Sequence, residues 1–497
     1  MVSRQGFRFQ LKRASGLLRV LLKNRMAVIG VILLVVYAFM ALGASLLTSY
    51  APYQQVSGSL AQPEWIMNFP DGYYLSKNIV VGQDPSFTSP ATLVSEWTTS
   101  SVNGSLTSLP IQVSYASNAT APSDPGGSVR ITNYGSRNES VRLSQTFQFP
   151  YNGPPKKFAA SFEVYSATAG LGSPVHLRLF ITRALDGHTF NIWDSNDTDT
   201  SWTPSASESL DTDAGIVRQN TGAVGSPLNP AAIIFSAKSS YTYGLELTLS
   251  PGQTAYLDKL GLKLFGSAFG IFGTNNFGAD IWTQLVYGSR ISLAVGLTAA
   301  GIGIGLGLLV GLMAGFLGKL VDELLMRFTD MMLVIPGLPL LIVLVAVLGQ
   351  SIINVVIIIG FLGWMGFARI VRSQVLSLRE RPFVEAARAS GAGSGRIISK
   401  HIFPNIVSLT YVNLALAVPG AILTEAALAF LGLSDPGVVS WGNIFSDIRQ
   451  SNALALHPPP WWWVLPPGLS IALVSLSFVL IGYALDEIFN PRLRRRR

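Results

Sequence analysis

The 497 residues contain no cysteine, which excludes disulfides and thiolate metal sites together. Charge is scarce as well: Asp, Glu, Lys and Arg make up 12% of the chain, against 49% apolar residues. A soluble globular chain carries about 25% charged residues, so much of this one is built for a solvent other than water. Only four histidines occur, His176, His188, His401 and His457, and no two stand at metal-ligand spacing. No G-x-x-x-x-G-K-[ST] phosphate loop is found, so nucleotide is not held in that way. The chain is therefore expected to work without catalytic residues, metal or cofactor of its own.

What charge exists is placed unevenly. The net +8 gathers in residues 1–24 (Arg4, Arg8, Lys12, Arg13, Arg19, Lys23), between Arg369 and Lys400, and in Arg492 to Arg497. The long polar stretch after the first apolar run is mildly acidic instead. Basic loops beside apolar runs fix orientation in a bilayer and give no case for nucleic acid. Met26 to Leu47 has about the length needed to span hydrocarbon, too long for the apolar part of a cleaved leader. Further runs lie at 291–316, 329–349, 352–368, 406–432 and 465–485, making six spans. Counting from a cytoplasmic N-terminus, every basic loop falls inside, and 49–285 and 434–464 fall outside.

Between the first and second spans the pattern changes to short alternating strands, at 161–165, 175–181, 190–193, 243–249 and 255–265. Gly, Pro, Asn and Asp punctuate them, as in a β-sandwich, expected over about 105–265. The expected layout is 1–24 basic cytoplasmic segment, 25–48 first span, 49–270 extracytoplasmic insertion, and 271–497 five-helix core. Sequons at Asn103, Asn118, Asn138 and Asn196 all fall in the insertion, which fits a glycosylated, archaeal exterior.

The loop at 379–405 contains Glu385-Ala386-Ala387, then Gly391, then His401-Ile402-Phe403-Pro404. The spacing predicts a helix, a glycine break and a second helix ending before Pro404. This order resembles the cytoplasmic coupling loop of ABC-importer permeases, and the Pro-Asn ending resembles the dipeptide/oligopeptide type. His401 and Phe403 depart from that family's usual Ile-x-Leu-Pro. Asp322 to Pro336, the run from Glu425 to Leu433, and Ser440-Trp441-Gly442-Asn443 resemble the same family. So do 272–280, where Asn275 and Ala279 replace the usual Asp and Arg, and 482–494, where Tyr483 and Asp486 depart. The resemblance implies a type I ABC importer permease fold: all-α and polytopic, here with an inserted all-β domain. It also implies a second permease, two cytoplasmic ATPases that bind the ATP and Mg, and an extracytoplasmic substrate-binding protein. Glu385, Ala386, Ala387, Gly391, His401 and Pro404 are the residues it assigns to ATPase coupling.

Gly303, Gly307, Gly311 and Gly315 form a small-residue ridge, read as a helix-packing surface. Arg327 and Asp330, three residues apart, are expected to pair on one helical face. Glu425 is the only charge in its long apolar run, so it lines the pore, meets a neighbouring subunit, or hydrogen-bonds another helix. Trp461 to Trp463 are expected in the interfacial aromatic belt. Cargo stays open between short peptides and xylo- or cello-oligosaccharides, because the strand segment faintly resembles carbohydrate-binding jelly rolls. It equally suits a docking platform. A secondary transporter leaves the coupling loop unexplained, and a tethered glycan-binding protein leaves the six spans unexplained.

Overall fold

The computed structural model describes residues 24–102, 110–122, 126–167, 174–197, 202–204 and 210–489. The basic segment at 1–24, apart from Asn24, and the terminal arginines lie outside these. The chain divides into two compact units, 54–280 and the pair of stretches 1–53 and 281–497.

The unit at 54–280 is built from two antiparallel sheets. Its strands are β1 (Ile79–Val81), β2 (Thr98–Ser101), β3 (Ile111–Ala116), β4 (Ser128–Asn133), β5 (Glu139–Phe149), β6 (Lys157–Ser166), β7 (Val175–Arg183), β8 (Thr189–Asp197), β9 (Thr203–Pro204), β10 (Ser239–Leu249) and β11 (Thr254–Phe265). One sheet runs β3-β4-β11-β6-β9 with β1 also on β11, and the other runs β2-β5-β10-β7-β8. Alternation puts Leu143, Leu179, Leu245 and Leu247 of one sheet and Ile131, Val164, Leu257 and Leu264 of the other into a single core. Tyr243 crosses that core and donates a 3.0 Å hydrogen bond to the carbonyl of Gly261, beside the bulge in β11. With no disulfide, burial of such side chains, about 1.5–3 kcal/mol each, is what stabilises this unit. Its strands begin at 79, earlier than the alternation suggested, because β1 and β2 are too short to show a period. It also extends to 280, past the expected boundary at 270. Thr274 Oγ1 donates to the Gly58 carbonyl at 2.6 Å and accepts from Ala61 N at 2.8 Å, tying the turn into this unit.

The other unit is helical: α1 (Arg25–Leu42), α2 (Ile281–Leu317), α3 (Lys319–Val334), α4 (Gly337–Leu348), α5 (Ile352–Leu362), α6 (Met365–Arg379), α7 (Pro382–Ala389), α8 (Ser394–Ile397), α9 (Phe403–Phe430), α10 (Trp441–Gln450) and α11 (Trp461–Phe489). Among the described residues, five helical stretches are long and apolar enough to cross a membrane, or six where a bent pair counts as one span. The glycine ridge is the packing surface of α2. A Cβ on Gly307 would stand 2.7 Å from the Trp364 carbonyl, and one on Gly311 2.7 Å from that of Ala368. These distances leave room only for hydrogen, so α5 and α6 lie directly against α2.

Two expectations about helix continuity are corrected. The run at 329–349 is not one straight helix: α3 and α4 meet at 89°. Pro336 drives Ile335 out of the helical region, to ψ 127°. Conversely, Pro404 does not end a helix. Residues 398–402 form a π turn that leads from α8 into α9, so helix continues from Ser394 to Phe430. Pro404 sits directly after that turn, at the start of α9, and the helix runs on through it.

Candidate functional site

The coupling-loop residues form a projecting knob. Pro382 starts α7 at a position suited to its fixed φ. Gly391 ends it at φ +78°. Gly391 N donates to Arg388 O and Ala392 N to Ala387 O, both at 3.0 Å, the Schellman arrangement that reverses a chain after a helix. The knob is held from below by Val384, Ile397, Ile402 and Ile406, packed with Val371, Val375 and Phe316. Its outer surface is different. Glu385, Ala386, Gly391 and Pro404 are exposed, while Ala387 and His401 are half-buried. The His401 ring lies 6.5 Å from that of Phe383, and its carbonyl accepts from Asn405. Glu385 has no ionic or side-chain hydrogen-bond partner among the described residues. A rigid base thus carries a small, open surface with one carboxylate that lacks a side-chain partner among the described residues.

Glu425 lies in α9 and is 1% exposed. It meets another helix: Ser440 Oγ donates to Glu425 Oε1 at 2.7 Å and accepts from Asn443 N at 3.1 Å, capping α10. The neighbouring Trp441 is fully buried, its backbone N bonded to Ser292 Oγ and its indole N to the Leu285 carbonyl. Ser440 was missed in the sequence, although Ser three residues before Asn443, at the head of an amphipathic stretch, is a legible cap.

The expected Arg327–Asp330 pair does not form. Arg327 approaches Glu323 at 3.8 Å on an exposed face, one helical turn back. Asp330 bonds instead to Arg369 of α6 at 2.5 Å, and Arg372 grips Asp322 through both nitrogens. Long-range partners outcompete the local one because α6 brings two guanidinium groups against α3. Trp462 and Trp463 are buried, 7% and 0% exposed, so only Trp461 could serve an interfacial belt.

A cavity of about 530 Å³ opens among α2, α4, α5 and α9, walled by Ala299, Gly303, Gly337, Leu338, Leu341 and Thr424 among others. No local pattern marks it, since its walls come from four separate stretches. Of the sequons, Asn118, Asn138 and Asn196 are exposed, and Asn103 lies outside the described residues. No group of His, Asp or Glu among the described residues is arranged to hold a metal ion.

Two family models match the chain: the inner membrane component of binding-protein-dependent transport systems over 307–495, and the N-terminal TM domain of oligopeptide transport permease C over 14–63. The dipeptide transport system permease protein of Alkalihalophilus pseudofirmus is 43% identical over 224 residues, 45% of this chain and 72% of that one. The oligopeptide transport system permease protein of Bacillus subtilis is 37% identical over 225 residues, again 45% and 72%. Among solved structures, TmCBM61 in complex with beta-1,4-galactotriose covers 37% of this chain at 13% identity and a TM-score of 0.24, too slight a likeness to bear on function.

Proposed function

The chain belongs to the permease family of binding-protein-dependent ABC importers, in its dipeptide/oligopeptide branch, and on that premise we propose that it forms half of an ATP-driven pore for short peptides. It is a multi-pass membrane subunit that catalyses nothing itself; hydrolysis belongs to partner ATPases, which hold ATP and Mg. A second homologous permease completes the pore, and an extracytoplasmic binding protein delivers cargo. Both termini face the cytoplasm and the β unit faces outward in the plasma membrane, where it serves as the docking platform. Asn118, Asn138 and Asn196 would then be open to glycosylation, as on an archaeal surface.

The observation that carries this reading is the knob. Its apolar base welds it to α2, α6 and α9, while Glu385 and its neighbours stay open to a partner. A push there moves helices rather than a loop. ATPase closure would therefore switch the pore between two rigid arrangements. The test is the purified complex with its binding protein, carrying Glu385→Arg. The variant is expected in the membrane and assembled, with ATP-dependent uptake abolished; normal uptake would sink the reading. Stimulation of hydrolysis by di- to pentapeptides identifies the cargo, whereas stimulation by xylo- or cello-oligosaccharides alone would replace it.

A further inference from the structure

The helix α3 is isolated between two breaks. At one end Gly318 takes φ +119°, and at the other Ile335-Pro336-Gly337 turns the chain by 89° into α4. Between the breaks much of its surface is open: Leu320, Leu324, Met331 and Val334 are 64–82% exposed. What fastens it sideways is α6. Arg372 holds Asp322 and Arg369 holds Asp330, eight residues further along, with Phe328 stacked on Trp364 at 6.2 Å between them. The two ion pairs are about two turns apart on α3 but within one turn on α6, so they brace α3 from a single short stretch of α6 and resist swinging, which one pair would not. Isolated surface pairs contribute little, but bare charges at a membrane boundary are costly, so each arginine has reason to keep its partner.

At its far end α6 leads through Arg381 into the knob, and Val375 packs in the same cluster as Val384. Beyond the Pro336 break, α4 supplies Gly337, Leu338 and Leu341 to the cavity wall. We propose that α3 is a connecting rod: motion of the knob passes through α6 and both ion pairs to α3, and the bend converts it into movement of α4 across the cavity. Arg369 and Arg372 are positioning residues in this scheme, and α4 is the moving wall. The inference rests on the permease reading.

The absence of cysteine makes a direct test available. Leu338→Cys would place the only thiol of this subunit on the moving wall. Its modification by a water-soluble maleimide, read by intact mass of this subunit, would be followed in the full reconstituted complex without nucleotide and with ATP plus vanadate. With native pairs the rate should differ between the two conditions by about fivefold or more, the usual scale of coupling between sites. Arg369→Asp with Arg372→Asp should erase the difference, and adding Asp330→Arg with Asp322→Arg should restore it. Asp322→Asn with Asp330→Asn is a milder second route to the same loss. An unchanged nucleotide response in the broken-pair variants would overturn the proposal, as would no response with native pairs or no recovery in the swap. Failure of the native-pair complex to bind ATPases or take up cargo would count against the permease reading instead.

Discussion

Ser440 donates its hydroxyl hydrogen to Glu425 Oε1 while accepting the amide of Asn443, so one side chain both caps α10 and binds one oxygen of a carboxylate buried in α9, whose Oε2 has no hydrogen-bond partner among the described residues. The bond is 2.7 Å long and joins two buried residues. Gly442 allows the approach: a Cβ there would stand 2.8 Å from Ala426 Cα and 3.1 Å from Glu425 Oε2. Thus α10 is fixed on α9 by a hydrogen bond and by a missing side chain.

Removing the hydroxyl therefore removes two bonds. Ser440→Ala is expected to lower stability of the detergent-solubilised subunit by about 1–3 kcal/mol. Glu425→Gln, of the same shape, keeps an acceptor oxygen for Ser440 and should lose less. Thermal unfolding of the two variants, compared side by side, decides this; equal losses would mean that the carboxylate is held by something other than Ser440.

The glycines of α2 divide by what they face. Gly311→Val should separate α2 from α6, because its branched carbons would enter the space of Val371 and the Ala368 carbonyl. Overpacking of this sort costs about 1–3 kcal/mol or more. Gly301 and Gly305 meet nothing within 4 Å, so alanine there should be neutral or stabilise the isolated subunit by about 0.5–1 kcal/mol. Melting temperatures of the three variants give the answer.

At the knob, Gly391→Ala meets open space but a left-handed backbone, φ +78°. The strain, about 1–2 kcal/mol, should leave the subunit folded while reshaping the knob, so uptake falls and membrane level does not. Gly393→Ala, at φ −66°, should transport normally. Uptake by vesicles with matched amounts of permease separates the two.

Burial pushes the Asp447 carboxyl of α10 up to about 6. The unfolded value is about 3.9, so the folded state holds the proton more tightly. Between those values it binds more protons than the unfolded state, and stability falls as pH rises through the window. Asp447→Asn should thus stabilise at about pH 7.5 and approach no effect near pH 4. Melting curves of native and variant protein across this range should diverge upward in pH; convergence upward would reverse the assignment.

The membrane runs and the glycine ridge were plain in the sequence because each is a local, repeated signal. So were the long strands β7, β10 and β11, whose alternation persists over many residues. Contacts that depend on tertiary approach were not. Arg327 stands three residues from Asp330, yet Asp330 goes to Arg369, 39 positions away, a choice that no local spacing encodes. Pro336 and Pro404 show the same limit from another side. Identical chemistry ends one helix and is carried inside the other, where a π turn lies just upstream. That turn leaves no mark in hydropathy.

The π turn at 398–402 has an evolutionary and experimental corollary. Such a turn holds one residue more than the α-helix around it, and each residue in an α-helix advances the azimuth by about 100°. Deleting a single residue there would regularise the helix and strengthen its ladder, an apparent improvement. The wide turn already absorbs that residue, so both flanks would keep their present bearing. A lineage could thus lose that codon and keep both the knob and the Glu425 contact in place, whereas a deletion in the regular helix on either side would turn one flank by about 100°.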